Sequence, residues 1–212
     1  MWLRKILLLL CPILSGAAQA NPVILVFGDS LSAGYGLAAH QAWPDLLQQR
    51  LNRSQPRQKW QVVNASISGE TTAGGVTRLP ATLAQHQPAI VILELGANDG
   101  LRGLPLSVMQ NNLNAMIRDI HNSGARTLLV GIHLPPNYGM TYTRKFQQTY
   151  ASLARQNHIA WLPSLLSGIE TQPQLFQADG LHPLATAENR LLENICKPLN
   201  PLLAKTNRRQ PH

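Results

Sequence analysis

Five short apolar runs alternate with stretches of helical periodicity along this chain, and the alternation constrains its fold more than any other feature. The runs are nearly continuous, as in strands buried on both faces, and cover residues 23–27, 60–63, 89–95, 127–132 and 159–162. Helical spacing of apolar residues recurs over residues 42–51, 106–120, 146–157 and 186–203. Because strands that alternate with helices pair in parallel, we predict an α/β fold, a three-layer α/β/α sandwich with a five-stranded parallel sheet. Pro198 and Pro201 are expected to break or end the last helix.

The amino terminus has the composition of an export signal. Arg4 and Lys5 precede an apolar stretch over residues 6–14, and the Ala-Gln-Ala sequence at 18–20 is the small-x-small pattern that signal peptidase cleaves. The stretch is shorter than the roughly 20 residues of a membrane-spanning helix, which disfavours an uncleaved anchor. The residues before Cys11 lack the small side chains that precede a lipidated cysteine. We therefore expect an exported protein, in the periplasm or secreted.

The rest of the chain is long enough for a single domain with its own core. We assign residues 1–20 to a cleaved signal peptide, residues 21–204 to one domain and residues 205–212 to a flexible basic tail. Cleavage removes Cys11 and leaves Cys196 alone, which excludes an intrachain disulfide and a cysteine-based metal site. We predict neither a metal nor a cofactor, because no metal-binding motif occurs.

The chain is basic, with 18 Lys and Arg residues against 10 Asp and Glu. This excess favours transient contact with an anionic surface such as lipid headgroups or lipopolysaccharide. The basic residues form no long run and no aromatic stripe accompanies them, so nucleic-acid binding is not predicted. Nothing in the sequence demands more than a monomer.

Polar or glycine-rich turns follow the carboxyl ends of the first four predicted strands. They comprise residues 28–30, 68–70, 96–99 and 133–135. Ligands of open parallel sheets bind outside the carboxyl ends of the strands, at one edge of the sheet. We therefore expect these turns to gather there and to form the functional site.

Ser30, His182 and Asp179 are candidates for nucleophilic catalysis. A serine hydroxyl is a poor nucleophile at neutral pH, so Ser30 needs a base such as His182, and the base needs an orienting carboxylate. Asp179 precedes His182 by three residues, which places the carboxylate and the imidazole on one short turn. Each residue alone is more typical of a helix cap, a turn or a surface position, and only the combination favours catalysis.

An oxyanion that forms at Ser30 would need hydrogen-bond donors aimed at it. The backbone N–H of Ser30 is one candidate, and the backbone N–H of Gly69 is a second, because no side chain stands in its way. The side-chain amide of Asn98 is the third. Taken singly, a glycine and an asparagine are ordinary turn residues.

Four motifs follow one another in order along the chain: Gly-Asp-Ser-Leu at 28–31, Asn-Ala-Ser-Ile-Ser-Gly at 64–69, Gly-Ala-Asn-Asp at 96–99 and Asp-Gly-Leu-His-Pro at 179–183. Together they resemble the GDSL/SGNH hydrolase family. The four marker residues of the family would map onto Ser30, Gly69, Asn98 and His182, and its acid partner onto Asp179. The resemblance implies a flavodoxin-like sandwich and a serine hydrolase that forms an acyl-enzyme on Ser30.

Longer segments are similar to the bacterial periplasmic thioesterase I branch of this family, whose members are also described as lysophospholipases and arylesterases. They are residues 28–36, 64–69, 79–81, 96–103 and 134–139. The likeness implies hydrolysis of fatty-acyl esters and thioesters, with a small acyl ester or a lysophospholipid as substrate. Residues 53–59 and 171–177 are not carried over and have the composition of variable surface.

A fatty-acyl substrate needs an apolar trough beside the nucleophile, where each buried methylene contributes ~0.8 kcal/mol. Several apolar residues in or near the predicted turns suit such a trough, although some of them would equally suit the core. We assign to substrate binding Ile67, Leu79, Leu104, Pro135, Tyr138 and Leu181.

Four polar residues near the predicted site receive no part in the reaction. Asp29 is expected to hold the nucleophile turn by accepting backbone N–H bonds, and Asp99 to brace its own loop. Glu94 lies in an apolar strand and needs a partner or a strand-end position. His133 follows a strand as a single polar residue, and we treat it as part of the wall.

Other functions fit less well. Residues 34–39 match the dinucleotide fingerprint G-x-G-x-x-A, but they do not follow the strand directly and lack the acidic residue about 20 positions later. The Gly-x-Ser-x-Gly elbow of α/β-hydrolases is absent. Two alternatives stay open. A carbohydrate O-deacetylase on the same fold is disfavoured by an aromatic content of 5%, and a non-catalytic periplasmic binding protein would not need base, acid and oxyanion donors together.

Overall fold

Five parallel strands form a single sheet in the computed structural model, which describes residues 21–54 and 59–207. The strands are β1 (Val23–Gly28), β2 (Gln61–Asn64), β3 (Ile90–Glu94), β4 (Arg126–Val130) and β5 (Ala160–Leu162). Their spatial order is β2-β1-β3-β4-β5. This sheet confirms the predicted α/β fold, whereas the predicted signal peptide lies outside the described residues.

Helices cover both faces of the sheet. They are α1 (Ser30–Ala33), α2 (Trp43–Ser54), α3 (Thr72–His86), α4 (Ala97–Leu101), α5 (Leu106–Asn122), α6 (Met140–Gln156) and α7 (Glu188–Asn207). Helix α2 packs against α7, while α5 packs against both α3 and α6. Helices α2 and α7 therefore share one face of the sheet, and α3, α5 and α6 share the other. Right-handed crossovers produce this arrangement, because the connection from β1 to β2 crosses the sheet in the opposite direction to the three later connections. None of the described helices combines the length and hydropathy of a membrane-crossing segment.

The two central strands carry the core of the protein. Residues 24–27 of β1 and residues 90–93 of β3 have no solvent exposure. Because helices cover both faces of these strands, every side chain along them meets an apolar neighbour, which explains their continuous apolar sequence. Glu94 at the end of β3 is the exception, and it is buried as well.

Helix α3 was not predicted from the sequence. It contains Gly74, Gly75 and Pro80, and these residue types have the lowest helix propensities. The helix forms because its buried side, which includes Leu79 and Leu83, packs into the core next to α5. Tertiary packing therefore outweighs local propensity in this crossover from β2 to β3.

Helix α7 continues through Pro198 and Pro201, so the predicted break is wrong. A proline in a helix interior costs about 3 kcal/mol, whereas each fully buried leucine or isoleucine contributes about 1.5–3 kcal/mol. The buried face of α7 is long enough to offset both prolines, and it includes Leu191, Ile195, Leu199 and Leu202. The helix ends at Asn207, so residues 205–207 of the expected flexible tail are helical, while residues 208–212 lie outside the described chain.

The turns after four strands converge at the carboxyl edge of the sheet. Ser30 follows β1, Gly69 follows β2, Asn98 follows β3 and His133 follows β4. All four residues line one cavity, as expected of a parallel sheet.

Candidate active site

Ser30 and His182 are in direct contact at this edge. Ser30 is the first residue of α1, directly after Asp29, whose side chain caps the helix by accepting the N–H of Leu31 at 3.1 Å. His182 lies in the loop before α7, and its Nε2 atom is 2.8 Å from the Ser30 Oγ atom. At this distance the imidazole can accept the hydroxyl proton.

Asp179 holds His182 from the other side of the ring. Its Oδ2 atom is 2.6 Å from Nδ1 of His182, and its Oδ1 atom accepts the backbone N–H groups of Leu181 and His182 at 2.9 and 3.0 Å. The hydrogen bond from the His182 side chain, together with these backbone bonds, lowers the pKa of the Asp179 carboxyl to about 2. Asp179 is therefore ionised at neutral pH and favours the tautomer of His182 that leaves Nε2 free to accept a proton.

Gln177 connects the loop that carries His182 to the segment that follows Ser30. Its Nε2 atom donates to the carbonyl of Tyr35 at 2.7 Å, and its backbone N–H donates to the carbonyl of His182 at 2.8 Å. The Tyr35 ring packs on the His182 ring with 4.5 Å between their centroids. Gln177, at the end of the segment 171–177 that we expected to be variable surface, therefore helps to position the imidazole.

Three hydrogen-bond donors border the same cavity. They are the backbone N–H groups of Ser30 and Gly69 and the amide of Asn98. Gly69 has a φ of +78°, a left-handed conformation that favours glycine. The Nδ2 atom of Asn98 donates to the Glu70 carbonyl at 3.0 Å and to Asp29 Oδ2 at 3.1 Å. These bonds hold the amide at the cavity wall, where one hydrogen can turn to an anionic oxygen.

Two buried carboxyl groups lie beneath the nucleophile turn. Burial raises the pKa of Asp29 to about 6, against the opposing effect of its bond from Leu31. Burial, and then the neighbouring charge of Asp29, hold the pKa of Glu94 well above its usual range. Glu94 has the partner that its position required, because Ser32 Oγ donates to its Oε2 atom at 2.7 Å. Asp29 accepts a backbone bond, as predicted, and also a side-chain bond from Asn98.

Asp99 contacts another helix and not, as we had expected, only its own loop. It accepts hydrogen bonds from the backbone N–H of Thr72 at 2.9 Å and from the Thr72 hydroxyl at 2.6 Å. Thr72 is the first residue of α3, so the Asp99 carboxylate stabilises the amino terminus of that helix. The prediction that Asp99 braces its own loop is therefore incomplete, because the residue joins α4 to α3.

The cavity beside Ser30 has a volume of about 500 Å³ and a largely apolar wall. Its apolar lining includes Leu31, Leu101, Ile132, Leu134, Pro135, Pro136, Leu166, Phe176 and Leu181. A larger groove of about 870 Å³ lies beside the amino ends of β4 and β5 and contains none of the candidate residues. Residues 21–54 and 59–207 contain no cluster of three His, Cys, Asp or Glu side chains that would suit a metal ion.

The structure places two of the six predicted substrate-binding residues, Pro135 and Leu181, in this lining. Leu79 is fully buried in the core on α3, so its assignment to the cavity is wrong. Ile67 and Leu104 are 47% and 37% exposed and lie outside the lining. Tyr138 also lies outside it, and its hydroxyl donates to the Leu101 carbonyl at 2.9 Å. Tyr138 therefore positions the loop after β4 rather than forming the wall.

Sequence reasoning missed several cavity residues, most clearly Tyr35, Leu166, Glu170 and Phe176. Tyr35 lies within the segment around the nucleophile, and its position five residues after Ser30 was a usable signal. The other three lie between β5 and α7, in a segment with no regular periodicity. Only the folded path of that segment brings them to Ser30.

Comparison with known proteins shows consistent similarities. The sequence profile of the GDSL-like Lipase/Acylhydrolase family matches residues 26–188. The chain is 48% identical to esterase TesA of Pseudomonas aeruginosa, over 87% of this chain and 90% of that protein. It is 41% identical to thioesterase 1/protease 1/lysophospholipase L1 of Escherichia coli K12, over 90% and 89% of the two chains. The solved structure of esterase EstA from Pseudoalteromonas sp., at 36% identity, superposes with a TM-score of 0.81 and covers 87% of this chain and 100% of that one.

Proposed function

Because this chain belongs to the GDSL-like lipase/acylhydrolase family, we propose that it is a serine esterase that hydrolyses fatty-acyl esters and thioesters through an acyl-enzyme on Ser30. One observation carries the proposal. A line of hydrogen bonds runs from Asp179 through His182 to the Ser30 hydroxyl, which lies at the wall of an apolar cavity. A non-catalytic binding protein has no need of that arrangement.

In the first half of the reaction, Ser30 Oγ attacks the carbonyl carbon and His182 Nε2 accepts the hydroxyl proton. Asp179 stabilises the imidazolium that results, because its own carboxylate stays ionised at neutral pH. The N–H groups of Ser30 and Gly69 and the amide of Asn98 donate to the oxyanion. The imidazolium then protonates the leaving oxygen or sulfur, its bond to the acyl carbon breaks, and an acyl-serine remains.

The second half repeats these steps with water. His182 removes a proton from a water molecule as that water attacks the acyl carbon of the intermediate. The same three donors stabilise the second oxyanion, and the imidazolium returns the proton to Ser30 Oγ as the fatty acid leaves. The enzyme ends each cycle in its starting state, with no need for a cofactor.

The amino-terminal sequence supports export to the periplasm or beyond. An acyl-CoA is not an expected substrate outside the cytoplasm, so lysophospholipids and other lipid esters suit that compartment better than thioesters do. The basic composition supports transient contact with an anionic membrane surface that contains such lipids. We propose a monomer that acts on small acyl esters and lysophospholipids and does not bind nucleic acid.

A series of p-nitrophenyl esters from acetyl to dodecanoyl tests the proposal, with Ser30→Ala as the matched blank. We expect Ser30→Ala to lose turnover by about 10³-fold or more while it keeps the thermal unfolding temperature of the parent protein. Rates should rise from acetyl towards medium chains, because each methylene in the cavity adds binding energy. A sharp preference for acetyl would support a carbohydrate O-deacetylase instead, and near-normal activity of Ser30→Ala would contradict the mechanism.

A further inference from the structure

A second imidazole and carboxylate pair lies in the wall of the same cavity. His133 Nδ1 is 2.7 Å from Glu170 Oε1, and both side chains line the cavity that contains Ser30. The His133 side chain is 49% exposed and the Glu170 side chain 31%. The proposed reaction assigns no step to either residue.

Two hydrogen bonds hold the pair in place. Ser164, which is 1% exposed, donates its hydroxyl to Glu170 Oε1 at 2.5 Å, so one oxygen of Glu170 accepts from both partners. His133 follows β4 and Ser164 follows β5, and the three side chains therefore join the loops after two neighbouring strands. Among the residues that the structure describes, Nε2 of His133 and Oε2 of Glu170 have no hydrogen-bond partner.

Apolar side chains line the same cavity as this pair. Ile132 and Leu134, on either side of His133 in sequence, line the cavity and are only 5% and 6% exposed. Leu166, at 8% exposure, lines it as well. The pair is therefore a polar interruption among the apolar residues of the wall, and it follows β4 and β5, whereas the donors at Ser30, Gly69 and Asn98 follow β1, β2 and β3.

We propose that the His133–Glu170 pair is the specificity-determining end of the acyl-binding cavity and limits the length of the acyl chain that the enzyme accepts. This inference rests on the proposed function, because it concerns the chain that Ser30 receives. A methylene chain that crosses the pair takes water away from Nε2 of His133 and Oε2 of Glu170 and offers no hydrogen bond in return. That loss opposes binding, so methylenes gain affinity only up to the pair.

The double variant His133→Leu/Glu170→Leu replaces the polar end with an apolar surface of similar size. Hydrolysis of p-nitrophenyl esters from butanoyl to dodecanoyl gives kcat/KM for each chain length. In the parent protein we expect kcat/KM to stop rising within this series. In the double variant the maximum should move by two or more methylenes, so that kcat/KM of the longest ester relative to the parent optimum rises about tenfold, since one buried methylene is worth about fourfold.

Two further variants separate this effect from general damage. His133→Leu alone keeps the bond between Ser164 and Glu170 and should move the maximum in the same direction by a smaller amount. Arg50→Leu/Glu193→Leu is the matched control, because it removes an exposed ion pair between α2 and α7 outside the cavity, and its profile should equal that of the parent. Thermal unfolding of each variant shows whether it is folded.

An unchanged maximum in folded variants of both kinds would overturn the inference. A second series, with the acyl group constant and the alcohol varied, tests whether the pair contacts the leaving group instead of the acyl chain. If the cavity variants change selectivity only for the alcohol, the pair faces the leaving group and the inference is wrong. Failure of the proposed function is distinct, because it would appear as hydrolysis by the parent protein that does not depend on Ser30.

Discussion

Asn98 shows how single residues around the nucleophile are held in place before a substrate is present. Its amide donates to Asp29 on one side and to the Glu70 carbonyl on the other. Asp29 in turn is 1% exposed and adjoins Ser30. Both amide hydrogens are engaged in this way, so one of the two bonds gives way when an oxyanion forms, while the other keeps the amide in place.

We expect Asn98→Ala to lower kcat by about 10²–10³-fold with a much smaller change in KM, because an oxyanion donor acts mainly in the transition state. Steady-state kinetics on one p-nitrophenyl ester measures both constants. Asn157→Ala is a suitable control, because Asn157 also donates through its amide, but it lies at the end of α6 in the larger groove and not in the cavity of Ser30. An equal loss of kcat in both variants would mean that Asn98 acts only through stability.

At the scale of elements, the close approach of α3 to the central strands depends on Gly75. A Cβ atom at this position would lie 2.5 Å from Leu95 Cδ1 and 3.2 Å from Met116 Sδ. Leu95 is 1% exposed and Met116 is fully buried, so neither side chain can move away easily. The glycine therefore weakens the helix locally but lets it pack on the core.

We predict that Gly75→Ala destabilises the protein by about 1–3 kcal/mol through overpacking, although alanine is the better helix former by about 1 kcal/mol. Chemical denaturation measures the free energy of unfolding. Gly74→Ala is the matched variant, because Gly74 is exposed on the same helix and its added methyl would meet only the Glu70 side chain, at 3.1 Å. That variant should stay within about 1 kcal/mol of the parent, and equal losses at both positions would contradict the packing argument.

At the scale of the whole molecule, Glu188 ties the last helix of the chain to the first long one. Its Oε2 atom accepts the backbone N–H of Trp43, the first residue of α2, at 2.7 Å. Glu188 is 1% exposed, and burial raises its pKa from 4.5 to about 7. The folded protein therefore holds a proton on this group that the unfolded chain releases above pH 4.5, so its contribution to stability falls as the pH rises from 4.5 to 7.

We expect Glu188→Gln to become more stable relative to the parent as the pH rises, by about 2–3 kcal/mol between pH 5 and pH 8. Glutamine keeps an oxygen that accepts the N–H of Trp43 and has no proton to lose. Urea denaturation of both proteins at the two pH values gives the difference. The buried acids Asp29 and Glu94 titrate in both proteins alike, so they cancel in this comparison. A difference that is the same at pH 5 and pH 8 would refute the assignment.

The amino-acid sequence was enough to predict the strands, their parallel pairing and the five residues proposed for catalysis. Central strands read as apolar runs because both of their faces are buried, and this signal is local. The carboxyl ends of parallel strands meet at one edge, so the order of the motifs was enough to predict that Ser30, Gly69 and Asn98 lie together. The short spacing from Asp179 to His182 has the same local character.

Helix α3, the continuation of α7 and most of the cavity wall could be recognised only in the folded protein. Helix propensity spans about 1 kcal/mol for most residues and about 3 kcal/mol for proline, and burial of several side chains exceeds it. Packing therefore formed α3 despite its glycines and its proline, and α7 despite its two prolines. Leu79 and Leu181 are the same residue type, yet one lies in the core and the other in the cavity. Residue type reports a preference for apolar surroundings, whereas the packing of distant segments decides which apolar surroundings each side chain meets.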